Sequence, residues 1–258
     1  MSETNSNARE FDLFGEKSPK LDGIRVLLIY PPVRLNLKPL YPPIGILSLA
    51  AVLEKAGAQV EVMDLNMLRY RFNDLKRELN KHKFDVVGIG GMATVYYYMK
   101  FLSDYIKSEY PTVPIIGGGT VCSGSPEVVI KNTKIDVLVI GEGEPVILNV
   151  VDSIVNKKDL HEIEGIVYKL EDGTIIKTAQ RPRMSNLDDL PFPSYHLIDL
   201  EKYISNSFIY KKKKNTVTDT RINALNLDKQ KSSRPIMIFT KRGCPFKCDF
   251  WRNRQKVV

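Results

Sequence analysis

Residues 24–65 read IRVLLIYPPVRLNLKPLYPPIGILSLAAVLEKAGAQVEVMDL. Ile24–Tyr30 is a short apolar run with β-branched residues, and Pro31-Pro32 ends it. Such a run, bounded by turn residues, is a buried strand. Pro42-Pro43 then opens a stretch that is apolar almost all round and stops at Gly57. Proline at the entry and glycine at the exit are the start and stop signals of a helix, here one buried on most sides. Residues 58–65 alternate as a second strand. Strand, apolar helix and strand within 42 residues predict a parallel pair joined by a crossover helix.

The same period continues outward. Phe72, Leu75 and Leu79 fall on one helical stripe, and residues 85–91 (DVVGIGG) form a third strand. Val95, Tyr98, Leu102 and Ile106 make the next helical face, closed before Pro111. Residues 113–119 (VPIIGGG) form a fourth strand, followed by a short helix over 125–131. Residues 135–144 (IDVLVIGEGE) form a fifth, and Ile147, Val150, Val151 and Ile154 line the helix behind it. Five strands alternating with helices predict an α/β, flavodoxin-like, Rossmann-like doubly wound domain over 21–160, with strand order 2-1-3-4-5.

The period then breaks. Residues 164–179 read as a β-hairpin around Glu171-Asp172-Gly173. Residues 181–203 contain three prolines and no period, which predicts a linker packed on something, and 205–233 are polar and Lys-rich, a weakly structured loop. PIMIFT (235–240) is a fresh apolar strand, as though a second domain opened there. The expected organisation is a disordered leader over 1–20, the α/β domain over 21–160, hairpin and linker over 161–234, and a final segment over 235–258.

Composition narrows the function classes. No apolar run approaches the roughly 20 residues needed to span a bilayer. The polar N-terminus has no apolar h-region, and three cysteines make no disulfide framework, so a cytoplasmic, reducing setting is expected. The net charge of +8 is unevenly spread. Residues 201–258 hold fifteen Lys/Arg against four Asp/Glu, a balance of +11, which leaves −3 for residues 1–200. A basic run centred on Lys211–Lys214, without interleaved aromatics or a reading helix, is a solvated linker before it is a nucleic-acid surface.

Ligands of an open parallel sheet bind outside the carboxyl ends of its strands. Seven of the sixteen glycines lie at the ends of strands three, four and five: Gly90, Gly91, Gly117, Gly118, Gly119, Gly141 and Gly143. Glycine makes a corner, and it also lets backbone approach a broad flat ligand closely. No G-x-G-x-x-G follows the first strand, and Glu142 and Glu144 would repel a pyrophosphate, which argues against a dinucleotide. None of His82, His161 and His196 falls at a strand end. Cys122 reads as a small buried residue, with no local base to activate it.

The last motif is RGCPFKCDFW (242–251). C-x3-C-x2-C is a spacing that holds three irons of a [4Fe–4S] cluster; Cys244 and Cys248 supply two thiolates, and Trp251 stands where the third belongs. Indole nitrogen is not a cluster ligand. With YPP…PPIGILSLAAVLEKAG, GGG, GEGE and LDDLPFPSY in that order before it, the chain resembles the N-terminal part of the cobalamin-dependent radical S-adenosylmethionine (SAM) proteins over about residues 24–250.

The resemblance implies a corrinoid, cobalamin, over the strand ends. Its matching positions are Pro31, Pro32, Thr94, Gly117, Gly118, Gly119, Thr120, Gly141, Glu142, Gly143 and Glu144. The D-x-H-x-x-G motif that supplies a cobalt-binding imidazole in methionine synthase-type domains is absent after the first strand, so no protein histidine on cobalt is expected. It also implies a [4Fe–4S] cluster and SAM at Cys244 and Cys248 in intact relatives. The loss of the third cysteine and the absence of a barrel-like continuation together predict a truncated radical SAM domain over 235–258, with no catalytic residues and no turnover. Two alternatives stay open: a stand-alone corrinoid-binding module serving a partner enzyme, and a binder of nucleic acid or an acidic partner through the basic tail.

Overall fold

The computed structural model describes residues 13–15, 18–33, 38–70, 72–184, 186–213, 237–239 and 242, with the side chains of 72 and 207–213 left aside. Its strands are β1 (Arg25–Tyr30), β2 (Gln59–Asp64), β3 (Val86–Gly90), β4 (Ile115–Gly118), β5 (Val137–Val139), β6 (Ile166–Lys169) and β7 (Ile175–Lys177). The helices are α1 (Ile44–Lys55), α2 (Leu65–Leu68), α3 (Phe72–Leu79), α4 (Tyr96–Glu109), α5 (Thr120–Gly124), α6 (Pro126–Asn132), α7 (Ile147–Val155) and α8 (Leu200–Lys213).

One sheet runs in the order β2-β1-β3-β4-β5-β6-β7. β1 to β5 pair in parallel, in the expected 2-1-3-4-5 order. Side chains alternate across it as strand geometry requires. Leu27 and Ile29 join the core formed with α3, α4 and α6, while Val26 and Leu28 join the core formed with α1 and α7. The sheet has seven strands rather than five. The hairpin at 164–179 is present, but it pairs antiparallel with β5 (Leu138 opposite Val167) and so extends the sheet. Its apolar Ile166, Val167 and Tyr168 are buried there, which covers an otherwise open edge of β5.

Three further differences have physical causes. Met99 rather than Tyr98 completes the buried stripe of α4 with Val95, Leu102 and Ile106, because positions 95, 99, 102 and 106 follow the i, i+4, i+7, i+11 spacing of one helical face. Residues 13–15 of the expected disordered leader pack on the molecule: Leu13 is buried, and Lys55 Nζ lies 3.9 Å above the Phe14 ring. The linker and loop expected across 200–213 instead form α8, anchored by buried Tyr203 and Ile204.

The linker before α8 explains why α1 is apolar nearly all round. Ser194 N–H donates to the Leu47 carbonyl (3.1 Å), Ser194 Oγ bonds Glu54, and His196 Nε2 lies 2.9 Å from Glu54 Oε1. Leu190 and Leu197 pack on the same core, so α1 is covered by the sheet on one side and by the linker on the other. Among the described residues, no helix is long and apolar enough to cross a membrane. Of the expected strand at 235–240, only 237–239 are described; they carry no strand pairing, and Ile238 and Phe239 are exposed.

Candidate functional site

The carboxyl ends of β1 to β5 converge on one edge of the sheet, and two kinds of surface form there. The first is a plug over β1 and β2. Asp64, the last residue of β2, is buried; its Oδ1 accepts Met67 N–H (3.1 Å) and caps α2, and its Oδ2 accepts the Tyr203 hydroxyl of α8 (2.5 Å). Desolvation pushes the Asp64 carboxyl above the usual carboxylate range, against the opposing pull of the Tyr203 bond. Burial, then the nearby Asp64, raises both Tyr203 and Tyr30, the last residue of β1. Asn66 Oδ1 accepts Val33 N–H (3.0 Å), and Asn206 Nδ2 donates to the Pro39 carbonyl (3.0 Å). Pro31 is buried here and Pro32 half-buried.

The second surface is a platform made by the ends of β3, β4 and β5. Gly91 N–H donates to the Gly118 carbonyl and Val121 N–H to the Gly91 carbonyl, both at 3.4 Å. Ser123 Oγ donates to the Gly119 carbonyl (3.3 Å) and accepts Gly141 N–H (2.9 Å). This chain of bonds stitches the three glycine-rich loops into one surface. Gly119 has φ +84°, and a Cβ there would stand 2.4 Å from the Gly91 carbonyl oxygen, so the closeness of the first two loops requires glycine. At Gly118 and Gly141 an added Cβ would meet nothing within 4 Å. These two positions face open space, with Thr94, Gly119 and Thr120 exposed beside them and Met92 exposed at the rim.

The expected site residues therefore divide by role. Gly118, Gly119, Gly141, Thr94 and Thr120 form the open surface. Gly117 turns into the core, where a Cβ would lie 2.7 Å from Leu138 Cδ2 and 3.1 Å from Ile135, so its glycine serves sheet packing. Gly143 lets the loop approach α1, a Cβ there falling 2.9 Å from Leu49 Cδ2. Glu142 and Glu144 are engaged by protein groups. Glu142 Oε2 accepts Met184 N–H (2.8 Å), and Glu144, whose side chain is 6% exposed, takes Arg242 Nη2 on Oε1 (2.5 Å). Arg242 Nη1 lies 3.9 Å from Glu142 Oε1. The hydrogen bond to Glu144 raises the Arg242 pKa further, and burial opposes it.

Cys244, Cys248 and Trp251 lie outside the described residues. Cys122 is buried beneath the platform, and desolvation pushes its thiol up to about 12, which fits the inert role expected of it. Arg242, Ser123 and Tyr203 escaped the sequence reading. Arg242 stood in plain view inside RGC, whereas a lone serine in a helix and a tyrosine in a Lys-rich stretch carry no local signal.

Comparison with known proteins matches this platform to a family. The model of the B12 binding domain matches residues 30–151, which hold every strand end just described. An uncharacterized methyltransferase of Pyrococcus horikoshii, PH0819, is 26% identical over 232 residues, covering 88% of this chain and 45% of that protein. The anaerobic magnesium-protoporphyrin IX monomethyl ester cyclase of Rubrivivax gelatinosus is 27% identical over 239 residues, covering 88% and 38%. The chain thus spans less than half the length of these relatives. Two solved structures share its fold. The radical SAM methyltransferase TsrM of Kitasatospora setae, with cobalamin and a [4Fe-4S] cluster bound, has a TM-score of 0.57 at 20% identity over 70% of this chain and 38% of that one. The cobalamin-dependent SAM radical enzyme OxsB has a TM-score of 0.60 at 19% identity, over 71% and 25%. Residues 30–151 match the B12 binding domain, and the solved structures that share the fold are cobalamin-dependent radical SAM enzymes, to which this chain is similar.

Proposed function

We propose that this chain binds cobalamin on the platform formed by the ends of β3, β4 and β5, with no protein histidine on cobalt. The observation that carries this reading is the pair of open glycines, Gly118 and Gly141, on loops tied together by the Gly91–Gly118, Ser123–Gly119 and Gly141–Ser123 bonds. A flat macrocycle needs bare backbone over several loops, and these residues provide it. Gly118, Gly119 and Gly141 would lie beneath the corrin, with Thr94 and Thr120 as side-chain donors at its edge. When bound, the corrinoid supplies a cobalt centre able to carry a methyl group or an electron. The chain's own part is to hold the ring, shield one face and leave the other open. The match to the B12 binding domain supports the same reading.

A second part of the proposal concerns the cysteine pair. With Trp251 at the third position, Cys244 and Cys248 supply two of the three thiolates such a cluster needs. This chain therefore does not cleave SAM, and its role is corrinoid binding rather than turnover. Aquocobalamin followed by absorbance and retained through gel filtration tests the first part; electron paramagnetic resonance of the reduced cobalt tests for an imidazole ligand. Anaerobic reconstitution with iron and sulfide tests the second. About four irons per chain with 5′-deoxyadenosine released would overturn it.

A further inference from the structure

We infer that Arg242 is a positioning residue: seated between Glu142 and Glu144 at the end of β5, it fixes the chain that carries Cys244 and Cys248 against the strand-end platform. Glu144 is buried, and a buried carboxylate is retained only with a partner that neutralises it and fills its lone pairs. Arg242 is that partner, at 2.5 Å, and its second nitrogen lies 3.9 Å from Glu142. The planar guanidinium spans two carboxylates that the Gly141–Glu144 turn presents side by side, which a point charge would not do. Glu142 is fixed in turn by Met184 N–H (2.8 Å), a tie that does not involve the arginine.

A second tie lies five positions upstream. The Tyr195 hydroxyl donates to the Met237 carbonyl (2.6 Å), and Tyr195 follows Ser194, which is bound to α1. The segment entering the cysteine pair is therefore held at 237 by the linker and at 242 by the platform. Cys244 follows Arg242 by two residues, and two residues span roughly 7 Å at full extension. The two carboxylates of GEGE thus act on the cysteine-bearing segment and not on the ligand. The inference rests on the corrinoid reading only in naming what the platform carries.

The single tryptophan, Trp251, lies nine residues beyond Arg242 and is a built-in reporter, because corrinoids absorb where indole emits. The full chain is loaded with aquocobalamin and its tryptophan emission is compared with that of Arg242→Gln and Arg242→Lys. Hydrogen exchange over residues 235–250 is measured in parallel without ligand. The expected result is strong quenching on loading the unaltered chain and much weaker quenching in loaded Arg242→Gln. Exchange in Arg242→Gln should be several-fold faster. Arg242→Lys falls between, since an ammonium reaches one carboxylate but not both. Equal quenching and equal exchange in all three would overturn the inference. If the unaltered chain retains no cobalamin, the corrinoid reading fails, and the exchange comparison alone decides the clasp.

Discussion

A Cβ placed on Gly119 would stand 2.4 Å from the carbonyl oxygen of Gly91, at a backbone φ of +84° that side chains rarely adopt. The loop after β4 therefore meets the Gly91 backbone after β3 only because Gly119 is bare. One position along, Gly118 faces open space. Two adjacent glycines thus differ: the backbone around Gly119 has no room for a side chain, whereas the space over Gly118 is open.

Substitution separates them. Gly119→Ala forces a residue with a Cβ into a strained conformation against backbone, at a cost of about 1–3 kcal/mol before the clash is counted. Thermal unfolding should show a clear loss of Tm. Gly118→Ala, with room on every side, should melt within about a degree or two of the unaltered chain, on the order of 0.5 kcal/mol. An equal loss at both positions would contradict the division.

The Tyr203–Asp64 bond closes the β1–β2 end of the edge across 139 positions of sequence. Tyr203→Phe leaves a buried carboxylate short of one donor, which costs about 1–3 kcal/mol. The measurement is the urea midpoint. An unchanged midpoint would mean that α8 does not depend on this contact.

Asp64 also sets a pH dependence. Its folded pKa is raised by desolvation, so the folded chain holds this proton more tightly than the unfolded one. Its contribution is therefore greatest below the ordinary carboxylate value, about pH 4. That contribution is lost as pH rises through the folded value. The stability difference between the unaltered chain and Asp64→Asn should fall over that window and then level off. A difference that grows with pH would reverse the assignment.

Cys122 should be silent in the folded chain. Its thiol is pushed up to about 12 by burial, so almost no thiolate exists at neutral pH. In a Cys244→Ser/Cys248→Ser background, iodoacetamide should label Cys122 only at the rate of unfolding. Prompt labelling would show that the base of the platform opens.

Much of this was legible in the sequence, for reasons that particular residues make clear. Strands β1 to β5 and their order follow from local periodicity, because both faces of the sheet are covered and each strand reads as an apolar run. The hairpin was legible through Glu171-Asp172-Gly173, but its pairing with β5 was not, since no local signal names the edge it will join. α8 was missed because Tyr203 is buried by a partner on β2, far away in the chain. Gly117 read like its neighbours, yet Leu138 and Ile135 decide its role from the next strand and its approach. Glu142 and Glu144 were read as facing a ligand because the arginine that meets them belongs to a motif counted for its cysteines.

The central claim is that a corrinoid lies on the platform around Gly118. Its most direct test is a titration of aquocobalamin by absorbance into the unaltered chain and into Gly118→Leu, with retention through gel filtration. Binding of one cobalamin per unaltered chain at tens of micromolar, lost in Gly118→Leu while its unfolding curve is kept, is the predicted result. No spectral change and no retention by the unaltered chain, or equal retention by both, would contradict it.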